Sequence, residues 1–263
     1  MKDSECVAFL QWALPRLRLR WPGYRKVRRQ VCKRVDRRIR DLGLDNIEKY
    51  RARLDADPAE WVVLDTLTRI TISRFFRERD VFMYLCETAL PELHAAAAPE
   101  PVRIWCAGCA GGEEAYTLAI AAHQPRIPVR ILGTDLDEHQ ISRARRGCYS
   151  AGSLKELPPA WRALAFEARG DELLLRSAFR TNVDILRQDI RREMPPGPFH
   201  LILCRYLAFM YFDAELQREI AEGLLKRMVP EGLVVLGKHE SWPADVPGVV
   251  EVESGLRIYR KER

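Results

Sequence analysis

The chain has 263 residues, of which 47% are hydrophobic and 30% charged. Such a chain can bury a substantial core, as one large domain or as a main domain with a small companion. No apolar stretch approaches the roughly 20 residues of a membrane span, and the N-terminus lacks the apolar segment and cleavage site of a signal peptide. We therefore expect no membrane insertion and a cytoplasmic location.

The seven cysteines are predicted to be reduced thiols. Their number is odd, and they are scattered through apolar segments of a chain without an export signal. Cys106 and Cys109 have the C-x-x-C spacing of zinc sites, but no second pair or nearby histidine follows them. We therefore expect no metal site.

The formal net charge of +6 is concentrated at the N-terminus. Residues 1–60 hold 16 Lys and Arg against 9 Asp and Glu, whereas the rest of the chain holds 27 against 28. This asymmetry predicts that the N-terminal segment meets something acidic: a nucleic acid, an anionic membrane surface or a carboxylate-rich protein. A solvated helix face without a partner is the alternative.

The sequence YRKVRRQVCKRVDRRIRDLGL predicts an amphipathic helix. Its apolar residues recur at steps of three and four from Tyr24 to Leu42, and Gly43 is placed to end the helix. Short helices follow, with an Asp cap in DADPAE, so residues 1–66 form a predicted basic helical domain. Seven basic residues lie largely off the apolar stripe: Arg25, Lys26, Arg28, Arg29, Lys33, Arg37 and Arg40.

Residues 67–263 are predicted to form an α/β domain. A helix ending near Leu93 and the linker HAAAAPEP precede strands at VRIW, VRILGTD, VDIL, FHLILC and GLVVLG, which alternate with helical segments such as EEAYTLAIAAH and AELQREIAEGLLKRM. This alternation is typical of a parallel sheet. VVEVESGLRIYRK predicts a hairpin around Ser254 and Gly255. We predict a chiefly parallel, Rossmann-like sheet with an antiparallel terminal strand.

The stretch GCAGGEE follows the first strand of this sheet. Ligands of such sheets bind at the carboxyl ends of the strands, where glycines let the backbone approach closely. Glu113 and Glu114 would repel a pyrophosphate and attract a cation, and S-adenosylmethionine carries an ammonium and a sulfonium group. Asp135, at the end of the second strand, is placed to bind ribose hydroxyls. Favourable charge at a helix N-terminus is the alternative reading of the two glutamates.

At this point the sequence resembles the CheR-type, S-adenosylmethionine-dependent protein-glutamate O-methyltransferases of bacterial chemotaxis. The resemblance rests on TISRFFRERDVF, IWCAGCAGGEEAYTLA, ILGTDLDEHQISRARRGCY, FHLILCRYLAFMYFD and PEGLVVLGKHES. It implies a class I methyltransferase sheet with a small helical N-terminal domain and a small β insertion at about residues 150–181. It also implies that the basic N-terminal helix binds an acidic helical substrate such as a chemoreceptor.

The resemblance further assigns roles to individual residues. Near the methionine end of the cofactor it places Thr71, Ser73 and Arg77, and at its amino group Glu113. Asp135 would bind the ribose, Asp189 and Ile190 the adenine, and the segment of Arg205 and Tyr206 would close the pocket.

Methylation of a glutamate needs no strong base, because a free glutamate with a pKa of about 4.3 is already ionised at neutral pH. Alignment of the reacting atoms and exclusion of water then carry the rate. Arg77 is the candidate to orient the substrate carboxylate through a bidentate pair, with Tyr211 on the other side. The neighbouring Phe75 and Phe76 are predicted to pack in the core.

The sequence departs from the family pattern at the segment CRYLAFMYF. Tyr206 stands where Asn is usual, and the stretch to YF is one residue longer, so either Phe209 or Tyr211 takes the usual tyrosine position. A methyltransferase with another acceptor, a small molecule or a different protein, and a non-catalytic cofactor-binding signalling module therefore stay open as alternatives. We expect no nucleic acid partner, since the basic face lacks interleaved exposed aromatics.

Overall fold

A computed structural model describes residues 2–253 and 255–263 of the chain. Its contacts divide the chain into two compact units. The helical unit extends to Ile72 and also includes Met210–Leu216, and the sheet unit comprises Ser73–Phe209 and Gln217–Arg263. The division falls six residues after the predicted boundary at residue 66. The inclusion of a segment from beyond residue 200 depends on tertiary contacts that no local pattern encodes.

The N-terminal part of the helical unit contains five α-helices. Asn46 and Asp57 cap the fourth and fifth of them by accepting hydrogen bonds from the backbone N–H groups of Lys49 and Ala59, as the Asp cap in DADPAE predicted. The helices are α1 (Asp3–Ala13), α2 (Trp21–Tyr24), α3 (Arg28–Asp41), α4 (Ile47–Ala56) and α5 (Pro58–Thr68).

Helix α3 is the predicted amphipathic helix, but it begins later than the periodicity indicated. A turn at residues 25–27 separates it from α2, and it buries Val31, Val35 and Ile39. Gly43 follows its end with a φ of +67°, which confirms the predicted stop. The apolar stripe therefore faces the interior of the helical unit, as predicted.

Two arginines of α3 are used inside the helical unit. Arg38 donates two hydrogen bonds, of 2.9 and 2.7 Å, to the buried carboxylate of Glu60, which also accepts one from the Tyr50 hydroxyl. The hydrogen bond from Arg38 is the main cause that holds the pKa of Glu60 below its usual value. Arg34 donates to the carbonyl oxygens of Leu67 and Arg69.

The prediction that all the cysteines are reduced thiols is wrong for one pair. A disulfide joins Cys6 of α1 to Cys32 of α3, whose Cα atoms lie 5.9 Å apart. Each cysteine reads locally as a small residue of an apolar helix face, so sequence spacing gives no sign of the pairing. It arises because α1 packs against α3. The other five cysteines are free thiols.

The sheet unit is built on a seven-stranded sheet of order β6-β2-β1-β7-β8-β10-β9. The first five strands in that order run parallel, and β10 is antiparallel to both of its neighbours. This confirms the predicted fold class, including the terminal hairpin, although Ser254 lies outside the described residues. The strands are β1 (Val102–Ala107), β2 (Val129–Asp135), β6 (Val183–Arg187), β7 (Phe199–Leu203), β8 (Met228–Val235), β9 (Val249–Glu253) and β10 (Ile258–Lys261).

A second, three-stranded antiparallel sheet lies in the predicted insertion. It has the order β3-β5-β4 and contains β3 (Cys148–Tyr149), β4 (Phe166–Arg169) and β5 (Glu172–Leu175). It packs on the core through aromatic rings, since Phe75 contacts both Tyr149 and Phe166 edge to face, with ring centroids 4.8 and 5.3 Å apart. Phe75 and Phe76 are both buried, which confirms their predicted place in the core.

The remaining helices complete the described part of the chain. The helix predicted to end near Leu93 continues to Ala97, because the linker HAAAAPEP contains a run of four alanines and alanine is the strongest helix former. No described helix is long and apolar enough to cross a membrane. These helices are α6 (Arg79–Tyr84), α7 (Leu90–Ala97), α8 (Glu113–His123), α9 (Glu138–Arg146), α10 (Pro159–Ala165), α11 (Ala208–Tyr211) and α12 (Ala214–Lys226), with a π-helical turn at Leu85–Ala89 between α6 and α7.

Candidate active site

The candidate site lies at the carboxyl edge of the parallel strands. Because β6, β2, β1, β7 and β8 are neighbours and point the same way, the loops that follow them form one continuous row. This edge is where doubly wound sheets bind their ligands. Six of the ten site residues predicted from the sequence lie in these loops or at the element ends that border them: Glu113, Asp135, Asp189, Ile190, Arg205 and Tyr206.

The glycine-rich loop after β1 is held by the neighbouring strand. The backbone N–H groups of Gly108 and Cys109 both donate to the carbonyl oxygen of Thr134, at 2.8 and 2.9 Å. Ala110 N–H donates to the Asp135 carboxylate at 2.9 Å. Gly108 and Gly112 have φ values of +72° and +85°, which glycine adopts without strain. These hydrogen bonds hold the loop in place.

Asp135 has a structural task besides the predicted one. One carboxylate oxygen accepts from Ala110 N–H, and the other accepts from Asp137 N–H at 2.9 Å. Binding of ribose hydroxyls by this carboxylate stays a prediction. The side chain is half-buried at the end of β2, as the sequence predicted.

Asp189 and Ile190 follow β6, at the next position in the row. The backbone N–H of Gln188 donates to the carbonyl oxygen of Asp135 at 2.9 Å, which ties the two strand ends together. The Asp189 carboxylate accepts a hydrogen bond of 2.9 Å from Nε of Arg191, and Ile190 is buried. The structure thus brings both predicted adenine-binding residues to the end of the strand that neighbours Asp135.

Glu113 begins α8 and is fully buried. One carboxylate oxygen accepts a hydrogen bond of 2.5 Å from Arg143, which also donates to the Ser153 hydroxyl and lies over the Tyr149 ring. The other oxygen has no hydrogen-bond partner among the described residues. A Cβ at Gly111 would lie 3.0 Å from that oxygen and 2.8 Å from Arg143, so the glycine makes room for this ion pair.

Glu114 has a different partner from Glu113. Its carboxylate pairs with Arg205, whose side chain is fully buried at the end of β7. Arg205 also donates to the Glu78 carboxylate at 2.7 Å and to the carbonyl oxygen of Arg77 at 3.0 Å. The guanidinium therefore ties the RFFRE segment to the glycine-rich helix start.

Burial and charge oppose each other in this cluster. Burial would raise the pKa of Glu78, but the charge of Arg205 and the hydrogen bonds from Tyr206 and Arg205 outweigh it and lower that pKa. For Glu114 burial prevails, and the pKa is raised despite the charges of Arg205 and Arg77. Burial would lower the pKa of Arg205, but Glu114 and Glu78 raise it, so this guanidinium stays charged.

Tyr206 lies beside this cluster with three contacts. Arg77 stacks on its ring, with the guanidinium carbon 4.1 Å from the ring centroid. Its hydroxyl donates to Glu78, and its backbone N–H donates to Glu240 at 2.6 Å. Burial, followed by the hydrogen bond to Glu78, raises the pKa of Tyr206, so the phenol stays protonated.

Glu240 is a buried acid in the loop after β8. Burial raises its pKa to about 7, although the backbone N–H groups of Tyr206 and Gly237 donate to it at 2.6 and 2.7 Å. Together with Glu78 and Arg143, it is one of three charged residues that sequence reasoning missed. Glu78 lies in the RFFRE block and Glu240 in the GKHE block. Their position inside blocks that carry the family resemblance is the sequence signal that could have identified them.

Several residues near this edge have a strained backbone conformation. Non-glycine residues with φ in the left-handed region include Phe76, Glu78, Ala110 and Tyr206, with values of 60°, 65°, 49° and 55°. Such conformations persist where the surroundings fix them and are frequent at active sites. Three of these residues lie in RFFRE and CRY, two segments that Arg205 joins, and Ala110 lies in the glycine-rich loop.

Three other predicted site residues lie outside the loops of the carboxyl edge. Ser73 is half-buried in the sheet unit, and Thr71 is exposed in the last residues of the helical unit. Tyr211 belongs to the helical unit, where its ring lies 5.1 Å from that of Tyr24. Phe209 is buried against Trp242 and has no hydroxyl, and which of the two residues takes the usual tyrosine position stays open.

The family described as "CheR methyltransferase, SAM binding domain" matches residues 71–256. The chain belongs to this family. The chemotaxis protein methyltransferase of Salmonella typhimurium is 30% identical over 230 residues, which cover 82% of this chain and 76% of that one. Chemotaxis protein methyltransferase 2 of Pseudomonas aeruginosa is 29% identical over 227 residues, with coverage of 81% and 78%.

Among solved structures, an S-adenosylmethionine-bound amino pentose methyltransferase from Micromonospora echinaspora is similar in part. It has a TM-score of 0.36 and 16% identity, and the match covers 70% of this chain and 67% of that one. Overlap this low supports no inference about the acceptor or the mechanism. The family match is what makes this chain an S-adenosylmethionine-dependent methyltransferase.

The described residues fit the cofactor of this family. The buried Glu113 oxygen without a partner suits the ammonium group of S-adenosylmethionine. Asp135 lies at the neighbouring strand end, where the ribose hydroxyls are predicted to bind. No group of three or more His, Cys, Asp or Glu side chains suited to a metal is found within the described residues.

Proposed function

We propose that this CheR-type methyltransferase esterifies a glutamate side chain of an acidic helical signalling protein, such as a chemoreceptor. The observation that carries the proposal is Arg77, a guanidinium fixed at the carboxyl edge of the sheet. Its carbonyl oxygen accepts from Arg205, and its side chain stacks on Tyr206. A guanidinium held in this way suits bidentate binding of a carboxylate.

The relatives' names support the signalling context, since several are chemotaxis protein methyltransferases. The helical unit supports an acidic partner. On α3, or just before it, Lys26, Arg29, Lys33, Arg37 and Arg40 are exposed and follow each other at steps of three and four. The four residues on α3 share one helix face, and Lys26 lies in the turn before it; we call these five cations the cationic stripe. We propose that the stripe binds the acceptor helix.

Methylation of a carboxylate does not require a strong catalytic base from the protein. S-adenosylmethionine supplies an activated methyl group when bound, and the acceptor carboxylate is already an anion. Arg77 would orient the acceptor carboxylate toward the methyl group of the cofactor. Exclusion of water from the edge would strengthen these polar contacts.

A methyl ester assay tests the proposal. The protein is incubated with methyl-labelled S-adenosylmethionine and a helical acceptor peptide rich in glutamate, with a Glu→Gln peptide as the matched control. We expect label in the first peptide only, released as methanol by mild alkali, because esters hydrolyse where N-methyl groups do not. Label that resists alkali, or equal label in both peptides, would contradict a carboxylate acceptor.

Tyr206 keeps a second candidate open, the same scaffold with a small-molecule carboxylate as acceptor. The aromatic ring fills space beside Arg77 at the edge where the acceptor must approach. If free carboxylic acids are esterified faster than any acidic helical peptide, this candidate replaces the first. The cytoplasmic location also stays a prediction, and the Cys6–Cys32 disulfide gives it a test, since cytosolic thiols are usually kept reduced.

A further inference from the structure

Tyr206 occupies a backbone conformation that does not suit it. Its φ of +55° lies in the left-handed region, which bulky side chains seldom adopt and which Asn or Gly tolerates better. The surroundings must therefore hold it there. Its backbone N–H donates to the buried Glu240, and its hydroxyl donates to Glu78.

Gly237 shows that the loop after β8 is shaped around this ring. A Cβ at Gly237 would lie 2.9 Å from two carbons of the Tyr206 ring and 2.8 Å from a Glu240 oxygen. The backbone of Gly237 is not in the left-handed region, so its own conformation does not require glycine. The reason for a glycine is the space that the ring and the carboxylate need.

The ring in turn meets Arg77. The guanidinium carbon lies 4.1 Å from the ring centroid, within the range of a cation–π contact. The other end of the residue is fixed as well, since the Arg77 carbonyl oxygen accepts from Arg205. Glu78 links Arg205 to Tyr206, because its carboxylate accepts hydrogen bonds from Arg205 and from the Tyr206 hydroxyl.

From this geometry we infer that Tyr206 is a positioning residue, whose ring is the platform that sets the direction of the Arg77 guanidinium. The inference rests on the proposed function, in which Arg77 orients the acceptor carboxylate. Tyr206 acts on the reaction through Arg77 and not through the cofactor. Loss of the ring should therefore lower the rate of transfer much more than the affinity for the cofactor product.

The test compares Tyr206→Leu, which removes the ring, with Tyr206→Phe, which keeps the ring and removes the hydroxyl. Tyr84→Leu is the control, a half-buried tyrosine of the same unit outside this edge. For each protein we measure kcat and KM for the acceptor, the Kd of S-adenosylhomocysteine by calorimetry, and the rate at which phenylglyoxal labels Arg77, resolved by mass spectrometry.

We expect Tyr206→Leu to lower kcat ten- to hundredfold, to change the Kd of S-adenosylhomocysteine less than threefold and to raise the labelling rate of Arg77 several-fold. Tyr206→Phe should lower kcat less than tenfold, because the platform remains. Unchanged kcat and labelling in Tyr206→Leu would overturn the inference, and so would a Kd that rises in parallel with the loss of kcat.

Two provisions keep the outcome clear. If Tyr206→Leu does not fold, Tyr206→Met offers a flexible side chain of similar length without a ring, and the same expectations apply. If the wild-type protein forms no alkali-labile ester, the proposed function fails. The labelling of Arg77 needs no acceptor, so it still decides whether the ring positions the guanidinium.

Discussion

On helix α3 of the helical unit, Arg29, Lys33 and Arg37 are exposed along one face, whereas Arg205 of the sheet unit is fully buried between Glu78 and Glu114. Exposed charges contribute little to stability and are free to meet a partner. A buried guanidinium loses its hydration and is tolerated only when opposite charges and hydrogen bonds surround it. The contribution of Arg205 is to fix geometry, since its guanidinium holds the backbone of Arg77 and the start of α8.

The comparison shows that arginines of one unit are exposed, as the proposed recognition of a partner requires, whereas an arginine of the other unit is buried and organises the site. The extent of burial, which cannot be read directly from the sequence, decides between these two roles. The following changes test this contrast through the free energy of unfolding, beginning with the largest expected loss.

Arg205→Met should cause the largest loss of stability. It leaves the carboxylates of Glu78 and Glu114 in a buried cluster without their shared cation, and removal of one partner of a buried pair costs about 3–5 kcal/mol. Urea unfolding measures the change. Arg187→Met is the control, because Arg187 is 59% exposed on the edge strand β6 and should change stability by less than about 0.5 kcal/mol. Equal losses for the two variants would remove the contrast.

Cys32→Ser should lower the stability of the helical unit by roughly 3 kcal/mol, because the disulfide to Cys6 closes a loop with a sequence separation of 26. Urea unfolding in the presence and absence of dithiothreitol measures the effect. The reductant should bring the wild-type protein to the stability of the variant and leave the variant unchanged. A wild-type protein that is insensitive to reductant would show that the disulfide does not support this unit.

Glu240 should make stability depend on pH. Burial raises its folded-state pKa from 4.5 to about 7, so the unfolded chain ionises more easily. The stabilising contribution of this group is complete below pH 4.5 and is lost as pH rises through 7, a change of about 3 kcal/mol. In Glu240→Gln this slope should vanish when unfolding is measured from pH 5 to pH 8. A variant with the same slope as the wild-type protein would assign the dependence elsewhere.

Charge reversal on the cationic stripe should have the smallest effect on stability. Arg29→Glu, Lys33→Glu and Arg37→Glu lie on an exposed face, so each should change the free energy of unfolding by less than about 0.5 kcal/mol. Together they should raise KM for an acidic helical acceptor at least tenfold at low salt and less at high salt. Arg130→Glu, an exposed arginine of β2, is the control. An unchanged KM would restore the interpretation of the stripe as a solvated surface.

Much of the fold could be predicted from the sequence because it is local. Apolar runs gave the five parallel strands, and the glycines with Glu113 and Asp135 indicated the ligand-binding edge. The Cys6–Cys32 pair and the Glu78–Arg205–Glu114 cluster could not be predicted, because they join residues that only tertiary packing brings together. Tyr206 was noticed as a departure, but its contacts with Arg77 and Glu240 required the structure.

The central claim is that the carboxyl edge binds S-adenosylmethionine through Glu113 and Asp135. Calorimetric titration of the protein with S-adenosylhomocysteine tests it most directly, with Glu113→Gln and Asp135→Ala as variants and Asp184→Asn, an exposed residue of β6, as the control. The account predicts micromolar binding that each variant weakens by about 1–3 kcal/mol and that the control leaves unchanged. Absence of binding to the wild-type protein, or normal binding by both variants, would contradict it.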